Sequence, residues 1–300
     1  MSREQVARLK EMIAARPQNL DIEERRAGFE AMAARTPLPD DLDVEDAVLT
    51  APDGRALPGR WIRAGQGPWP GSLLHLHGGA FTVGGSKSYT EFAGRLSRAS
   101  GLEVFVLDYP LAPEHPFPAA LEDAIAAFAA LCDLRPAAPL AMSGDSCGAN
   151  LALAATQARL AAGARLPGAL YLHSAYLDLT HTGESIATRG PRDVFVRPEG
   201  MTATAAAYHG EASPSDPRVS PLFGRVEGLP PVYLQVGEEE TLYSDSARLA
   251  RRIEAAGGDV RFEEWPGMIH VWSFFGAMVD EAVEASDAAG AFLKAKLFQS

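Results

Sequence analysis

The sequence predicts an α/β fold in which a mostly parallel central sheet carries helices on both faces. Short apolar runs typical of β-strands alternate with helical segments along the chain. Several runs are too uniformly apolar for strands with one face in water, as expected when helices cover both faces of a sheet. The strand-like runs span 71–77, 102–109, 139–144, 168–174, 231–237 and 259–265.

The helical segments follow from apolar spacing and from the residues that end them. We predict helices over 119–131, 148–162, 244–256 and about 280–297, the second of them rich in alanine. Gly257 is the expected stop of the third, because glycine tolerates the left-handed conformation that ends helices. The side chains predicted to face the core are Leu121, Ile125, Phe128 and Leu131 in the first helix, Leu249 and Ile253 in the third, and Val283, Phe292 and Leu297 in the last.

Two segments interrupt the alternation of strands and helices. The first, about 1–45, begins with a helical stretch that places Val6, Leu9 and Ile13 on one face. The second, 178–222, is rich in Gly, Pro and Thr around a short helical piece. Insertions after strand ends form lids and pockets in α/β folds. We therefore predict one domain over 1–300, with these two segments as a cap over its active site.

Composition and charge exclude several classes of protein. With 47% hydrophobic and 22% charged residues the 300-residue chain is typical of globular proteins. A net charge of −12 argues against nucleic acid or an anionic membrane as partner. No run approaches the ~18 apolar residues of a membrane span. The charged N-terminus has no signal-peptide core, and two cysteines make no disulfide framework. We predict a cytoplasmic protein, with Cys132 as a buried, inert thiol.

The pentapeptide "GDSCG" at 144–148 holds two adjacent candidates for a nucleophile. In a sharp strand-to-helix turn, the residues two before and two after the nucleophile must be very small. Gly144 and Gly148 flank Ser146 at this spacing, whereas Asp145 would crowd a turn centred on Cys147. The turn follows an apolar strand and precedes an alanine-rich helix. The sequence therefore predicts Ser146 as the nucleophile.

The stretch "HLHGGAF" at 75–81 directly follows another strand. Consecutive glycines let backbone N–H groups approach a substrate oxygen, so we predict an oxyanion hole made by the N–H groups of Gly78, Gly79 and Cys147. Its neighbour His77 is expected to brace this loop through hydrogen bonds.

A base and an acid must accompany such a serine. His270 in "PGMIHVW" follows both the serine and an acidic loop, in the order Ser…Asp/Glu…His expected of strand–turn–helix hydrolases. Of the other histidines, we expect His75 and His173 to be structural and His115, His181 and His209 to lie at the surface or line a pocket. The acid comes from "VGEEETLYSDS" (236–246), where chemistry alone leaves four candidates open: Glu238, Glu239, Glu240 and Asp245.

Six segments together resemble the bacterial hormone-sensitive-lipase-like esterases (family IV) of the α/β-hydrolase superfamily. They are "HGGAF", "DYPLAPEHPFPAALED", "GDSCGAN", "DPRVSPLFG", "LPPVYLQVG" and "PGMIHVW", and the resemblance covers about residues 45–298. It implies a serine nucleophile, a glycine-rich oxyanion loop and a cap. Its G-x-x-D/E-x-L pattern falls on Gly237, Glu240 and Leu242, which selects Glu240 as the acid, with Asp245 and Glu239 as alternatives.

The sequence departs from the family pattern at four positions. Ala80 stands where many members have a third glycine, and Glu240 replaces the commoner aspartate. Cys147 replaces the usual alanine, and Pro110 replaces an arginine.

The predicted reaction is hydrolysis of small, short-acyl esters through a Ser146–His270–Glu240 triad and an acyl-enzyme. It uses no metal and no organic cofactor. Lactones, acetylated small molecules and amides remain open as substrates, as does a non-catalytic binding role for the fold. The last strand, at a predicted sheet edge, could pair two copies of the chain as a homodimer. Candidate pocket residues near the site or in the cap are Phe81, Tyr89, Phe195, Met201, Tyr208 and Trp272.

Overall fold

The central sheet of the computed structural model has eight strands, of which the second along the chain runs antiparallel to both of its neighbours while the others share one direction. The model describes residues 3–17 and 20–298. The strand order is β1-β2-β4-β3-β5-β6-β7-β8, with β1–β2 and β2–β4 antiparallel and every other neighbouring pair parallel. The strands are β1 (Leu42–Thr50), β2 (Ala56–Ala64), β3 (Ser72–Leu76), β4 (Glu103–Leu107), β5 (Leu140–Asp145), β6 (Leu170–His173), β7 (Val232–Gly237) and β8 (Val260–Trp265).

Helices pack on both faces of this sheet, as predicted, and the α/β-hydrolase architecture is confirmed. The helices are α1 (Arg3–Ala14), α2 (Ile22–Ala33), α3 (Thr90–Ser100), α4 (Ala119–Leu134), α5 (Cys147–Ala161), α6 (Ser185–Thr188), α7 (Pro198–His209), α8 (Tyr243–Ala255) and α9 (Asp280–Phe298), with short 3₁₀ helices at Pro221–Phe223 and Trp272–Phe275. Within the described ranges, no helix is both long and apolar enough to cross a membrane.

All six predicted strands are present, whereas β1, β2, α3 and the short α6 were not predicted. Strand β1 is an outer strand whose residues are mostly exposed, so it lacks the apolar pattern that marks a buried strand. Strand β2 contains Pro58 and Gly59, which argue against a strand when read locally. Gly59 is needed there because a Cβ would collide with Phe105 on the neighbouring β4.

The four predicted helices correspond to α4, α5, α8 and α9. Leu249 and Ile253 of α8 are buried, and Gly257 just beyond it has a φ of +73°, so the predicted stop is confirmed. Val283 was wrongly placed in the core, because it is 40% exposed. Helix α9 instead turns small side chains toward α3, where Gly290 lies so close to Ala99 that even a Cβ would not fit.

Cys132, predicted as buried, is only half-buried. It lies near the end of α4, where its thiol accepts a 3.7 Å hydrogen bond from the Arg159 guanidinium. Burial still raises the pKa of this thiol, which disfavours the reactive thiolate.

The two segments predicted as a cap make different contacts. In the first, Val6, Leu9 and Ile13 of α1 are buried in one cluster with Met268 and Ile269, which precede His270. In the second, α7 buries its inner side chains in the main core cluster. At the far side of the sheet, β8 is the outer strand, as predicted. Pairing of two copies through this edge stays a prediction.

Candidate active site

The predicted site residues meet at the carboxyl ends of adjacent parallel strands. The glycine loop follows β3, Ser146 follows β5, Glu240 follows β7 and His270 follows β8. Since parallel strands all end at the same edge of a sheet, residues that are far apart in sequence come together there.

Ser146 lies in a strained turn between β5 and α5. Its φ is +51°, a conformation that residues with a Cβ rarely adopt. A Cβ on Gly144 would collide with the backbone of Gly148, and a Cβ on Gly148 would collide with that of Leu76. These contacts explain physically why glycines flank the serine at this spacing, as the sequence analysis argued.

A continuous hydrogen-bond chain runs from Ser146 through His270 to Glu240. Nε2 of His270 is 3.0 Å from Oγ of Ser146, and Nδ1 of His270 is 2.9 Å from Oε2 of Glu240. The serine is 8% exposed, the histidine 2% and the glutamate not at all. Such a chain lets an imidazole take the proton of a serine hydroxyl while the carboxylate fixes the imidazole tautomer.

The structure brings one of the four acidic candidates to the imidazole. Glu238 is exposed and accepts the N–H of Gly267, while Glu239 forms an ion pair of 2.6 Å with Lys10 of α1. Asp245 lies in the first turn of α8, where its carboxylate accepts two backbone N–H groups of the loop after β6. Glu240 alone among the four contacts His270.

The longer glutamate side chain is held at both carboxylate oxygens. Its Oε1 accepts hydrogen bonds from the Gly237 N–H at 2.6 Å and from the Ser174 hydroxyl at 2.7 Å. Its Oε2 is thereby left to face His270. Burial raises the pKa of Glu240, and the hydrogen bonds from His270, Gly237 and Ser174 oppose that rise.

The electrostatics of this pair favour a basic imidazole. Burial by itself would lower the pKa of His270, because it disfavours the charged form. The hydrogen bond and the negative charge of Glu240 outweigh burial, so the pKa of His270 lies above its ordinary value. A histidine poised in this way is suited to accept a proton at neutral pH.

The structure contradicts the oxyanion prediction for Gly78, whereas for Gly79 and Cys147 it stays a prediction. The N–H of Cys147 opens α5, where helix N–H groups have no intrahelical acceptor, and in the described residues neither it nor the N–H of Gly79 is paired. The N–H of Gly78 instead points into the protein, donating to Asp145 Oδ1 and to the Tyr89 hydroxyl, each at 3.0 Å. The backbone N–H of Ala80, the next residue, interacts with the Cys147 thiol.

A buried carboxylate anchors this loop from below. Asp145 accepts the Gly78 N–H and the Tyr89 hydroxyl, the latter at 2.8 Å, and lies 3.5 Å from Nε2 of His75. Burial alone would raise the pKa of Asp145, but His75 and Tyr89 outweigh it and hold the pKa below its ordinary value. This role of Asp145 was not predicted, because nothing local in the sequence links it to residues 78 and 89.

The thiol of Cys147 is part of the same support. It is fully buried and accepts the N–H of Phe81 at 3.1 Å. Ala80 and Phe81 both have positive φ, 55° and 62°, so the loop is strained where the thiol holds it. Burial raises the pKa of Cys147 to about 12, which keeps the sulfur protonated and unreactive.

Of the six candidate pocket residues, Phe81, Tyr208 and Phe195 lie beside the site residues, and Met201 is buried in the main core cluster. The ring of Phe81 stacks on that of Tyr208 with centroids 3.6 Å apart, and Met201 belongs to the same core cluster. Phe195 presents its ring to His270 with centroids 5.5 Å apart. Phe195, Met201 and Tyr208 come from the segment 178–222.

The other two candidates, Tyr89 and Trp272, are wrong as pocket residues. The hydroxyl of Tyr89 donates a hydrogen bond to the buried Asp145 carboxylate beneath the oxyanion loop, so it does not face a pocket. Trp272 is fully buried, packs on His173 and Trp265, and donates its indole N–H to the Glu281 carbonyl. Trp272 was expected to line a pocket because it lies two residues after His270. The 3₁₀ helix that begins at Trp272 instead directs its ring into the core.

The burial and contacts of the remaining histidines agree with the roles expected from the sequence. His75 and His173 are buried in β3 and β6, and burial lowers the pKa of His173 to about 3. His77 contacts the carbonyl of Gly78 through Nδ1 at 2.8 Å and stacks on Tyr109, as expected of a loop brace. His181 is half-buried against the Tyr176 hydroxyl.

His115 is exposed and His209 lies half-buried at the end of α7. Throughout residues 3–17 and 20–298, no three His, Cys, Asp or Glu side chains are arranged to hold a metal ion.

The fold and this site define a member of the α/β-hydrolase superfamily. A family model described as alpha/beta hydrolase fold matches residues 73–274. An acetyl-hydrolase of Streptomyces hygroscopicus is 40% identical over 224 residues, which are 74% of this chain and 75% of the relative. An esterase of Acinetobacter venetianus is 38% identical over 216 residues, 71% of each chain.

Solved structures narrow the assignment. The crystal structure of an esterase from the bacterial hormone-sensitive lipase family superposes with a TM-score of 0.93 at 35% identity, covering 99% of both chains. The chain therefore belongs to the bacterial hormone-sensitive-lipase-like esterases, family IV of the α/β-hydrolases.

Proposed function

We propose that the chain hydrolyses small carboxylic esters with short acyl groups, through Ser146, His270 and Glu240. The observation that carries the proposal is the unbroken chain of hydrogen bonds at the strained turn, 3.0 Å from Ser146 to His270 and 2.9 Å from His270 to Glu240. The names of the relatives, acetyl-hydrolase and esterase, support the same class of activity.

In the first half-reaction His270 takes the hydroxyl proton of Ser146 as Oγ attacks the ester carbonyl carbon. The resulting oxyanion accepts hydrogen bonds from the N–H groups of Cys147 and Gly79, which are unpaired in the described residues. The imidazolium, stabilised by Glu240, then gives its proton to the leaving alkoxide, and an acyl-enzyme remains.

In the second half-reaction water takes the place of the alcohol. His270 accepts a proton from the water as its oxygen attacks the acyl carbon. The tetrahedral intermediate collapses, the proton returns to Oγ of Ser146, and the carboxylic acid leaves. Each proton taken from a nucleophile is thus delivered to a leaving group.

The enclosure of the site supports a small substrate. Ser146 is only 8% exposed, and the stacked rings of Phe81 and Tyr208 fill the space beside the oxyanion loop. Phe195 from the second cap segment covers His270. A long acyl chain would have to displace these rings, at a cost in packing free energy.

The test is hydrolysis of p-nitrophenyl esters from acetate to decanoate by the wild type, Ser146→Ala and Cys147→Ala. We expect activity on the shortest esters, its loss in Ser146→Ala, and its survival in Cys147→Ala, which keeps the backbone N–H. Wild type that is inert on every ester, and unlabelled by a fluorophosphonate, would favour a binding role instead. Loss of activity in Cys147→Ala alone would overturn the assignment of the nucleophile.

A further inference from the structure

The hydroxyl of Ser174 lies between the acid and the base of the site. Ser174 is the first residue after β6 and is fully buried. Its Oγ donates a hydrogen bond to Oε1 of Glu240 at 2.7 Å and accepts one from the N–H of Val271 at 3.0 Å. Since Val271 directly follows His270, one hydroxyl joins the carboxylate to the backbone that carries the imidazole.

The backbone on both sides of this hydroxyl is strained. Ser174 has a φ of +50° and Val271 a φ of +49°, and a β-branched residue such as valine is a genuine outlier there. Such conformations persist only where surrounding bonds hold them, and they concentrate at functional sites. The Ser174 N–H is held by the Gln235 carbonyl at 2.8 Å, and the Ser174 hydroxyl holds the Val271 N–H.

The identity of the acid makes this hydroxyl more important. A glutamate has one more rotatable bond than an aspartate, so its carboxylate needs more contacts to stay in one orientation. Without Ser174, Oε1 of Glu240 would keep a single donor, the Gly237 N–H. The buried N–H of Val271 would at the same time lose its acceptor, a loss that destabilises the conformation it requires.

We infer that Ser174 is a positioning residue, which orients the Glu240 carboxylate and the His270 backbone for proton transfer. This inference rests on the function proposed above. Ser174 touches neither the substrate nor the reacting atoms, so it acts on the rate through Glu240 and His270.

The first experiment compares kcat, KM and thermal stability of Ser174→Ala and Ser174→Gly on p-nitrophenyl acetate. We expect kcat to fall roughly 10- to 100-fold in both, because a hydrogen bond to a charged group is lost, with KM within about 2-fold of wild type. Glycine adopts a φ of +50° without steric cost, so Ser174→Gly still tests the inference if the alanine variant fails to fold.

The matched control is Ser100→Ala. The Ser100 hydroxyl is also buried, also donates one hydrogen bond, to the Leu96 carbonyl, and also accepts one, from the Leu102 N–H. It lies at the end of α3, away from the site. We expect this variant to lose stability without a change in kcat.

A double-mutant cycle separates positioning from general support. In a Glu240→Ala background, Ser174→Ala should lower kcat by a clearly smaller factor than in wild type, since the carboxylate is absent and only the contact with the Val271 N–H remains to be lost. A second readout needs no substrate: the downfield proton signal of His270 Nδ1, assigned by its loss in Glu240→Ala, should move or broaden in Ser174→Ala and stay unchanged in Ser100→Ala.

Three results would overturn the inference. They are a kcat within about 2-fold of wild type in Ser174→Gly, an equal loss of kcat in the Glu240→Ala background, and an unchanged His270 proton signal. Failure of the proposed function looks different. Wild type would then be inert on esters while the proton signal still responded to Ser174.

Discussion

Replacing Tyr89 by phenylalanine tests the buried support of the oxyanion loop. The ring is almost fully buried and keeps its volume in the variant, so the change removes one hydroxyl. That hydroxyl donates to the Asp145 carboxylate at 2.8 Å and accepts the Gly78 N–H at 3.0 Å. A hydrogen bond to a charged group contributes about 1.5–3 kcal/mol, so we expect the free energy of unfolding to fall by that amount.

Tyr109→Phe is the matched control. Tyr109 is also buried beneath the loop, but its hydroxyl donates to a neutral acceptor, the His77 carbonyl, at 2.6 Å. A bond between neutral groups contributes about 0.5–1.5 kcal/mol, so this variant should lose less stability than Tyr89→Phe. The two variants differ chiefly in the charge of the acceptor.

Urea unfolding at neutral pH measures both losses, provided that the slope of the transition is unchanged. The kcat on p-nitrophenyl acetate should fall about 10-fold in Tyr89→Phe, because Gly78 then loses one of its two acceptors and Gly79 follows it in the loop. If Tyr89→Phe loses no more stability than Tyr109→Phe, Asp145 is not a charged acceptor and the reasoning fails.

Three further predictions concern the base, the loop and the last helix. The acid limb of the pH profile of kcat/KM should have its midpoint above the ordinary histidine pKa of about 6.5, because His270 must be neutral to act and its pKa is raised. In Glu240→Ala this midpoint should move to lower pH, since burial then dominates the pKa of His270. A profile of kcat/KM between about pH 5 and 8 tests both expectations. Ala80→Gly should stabilise the protein to urea by about 0.5–1 kcal/mol, because φ is +55° there, and a loss of stability would contradict the strain argument. Phe292→Ala should lose about 3–5 kcal/mol in the same assay and Val283→Ala less than about 0.5, whereas equal losses would refute the orientation of α9.

Features that depend on near neighbours could be predicted from the amino-acid sequence alone. Five of the six predicted strands are buried along their whole length, and strands buried on both faces leave a local apolar signature. The glycines at 144 and 148 identified Ser146, because the turn that exposes a nucleophile restricts the residues beside it. The position of His270 followed from the order of the motifs along the chain.

The acid and the oxyanion donors depended on contacts between distant segments. Chemistry alone left four neighbouring carboxylates equivalent, and the family pattern selected Glu240. The fold supplies the physical reason, because it brings Glu240 to the imidazole while α1 pairs Glu239 with Lys10. Gly78 and Gly79 were equally plausible donors until Asp145, from another strand, took the N–H of Gly78.

The same physical reason explains the pocket residues. Tyr89 and Trp272 are close in sequence to the oxyanion loop and to His270, but a side chain points where its own backbone dihedrals and its packing partners direct it. Those partners, Asp145 for the tyrosine and His173 for the tryptophan, lie more than fifty positions away in the chain. Local patterns thus specified which elements form, and the packing of the elements decided which polar atoms face the substrate.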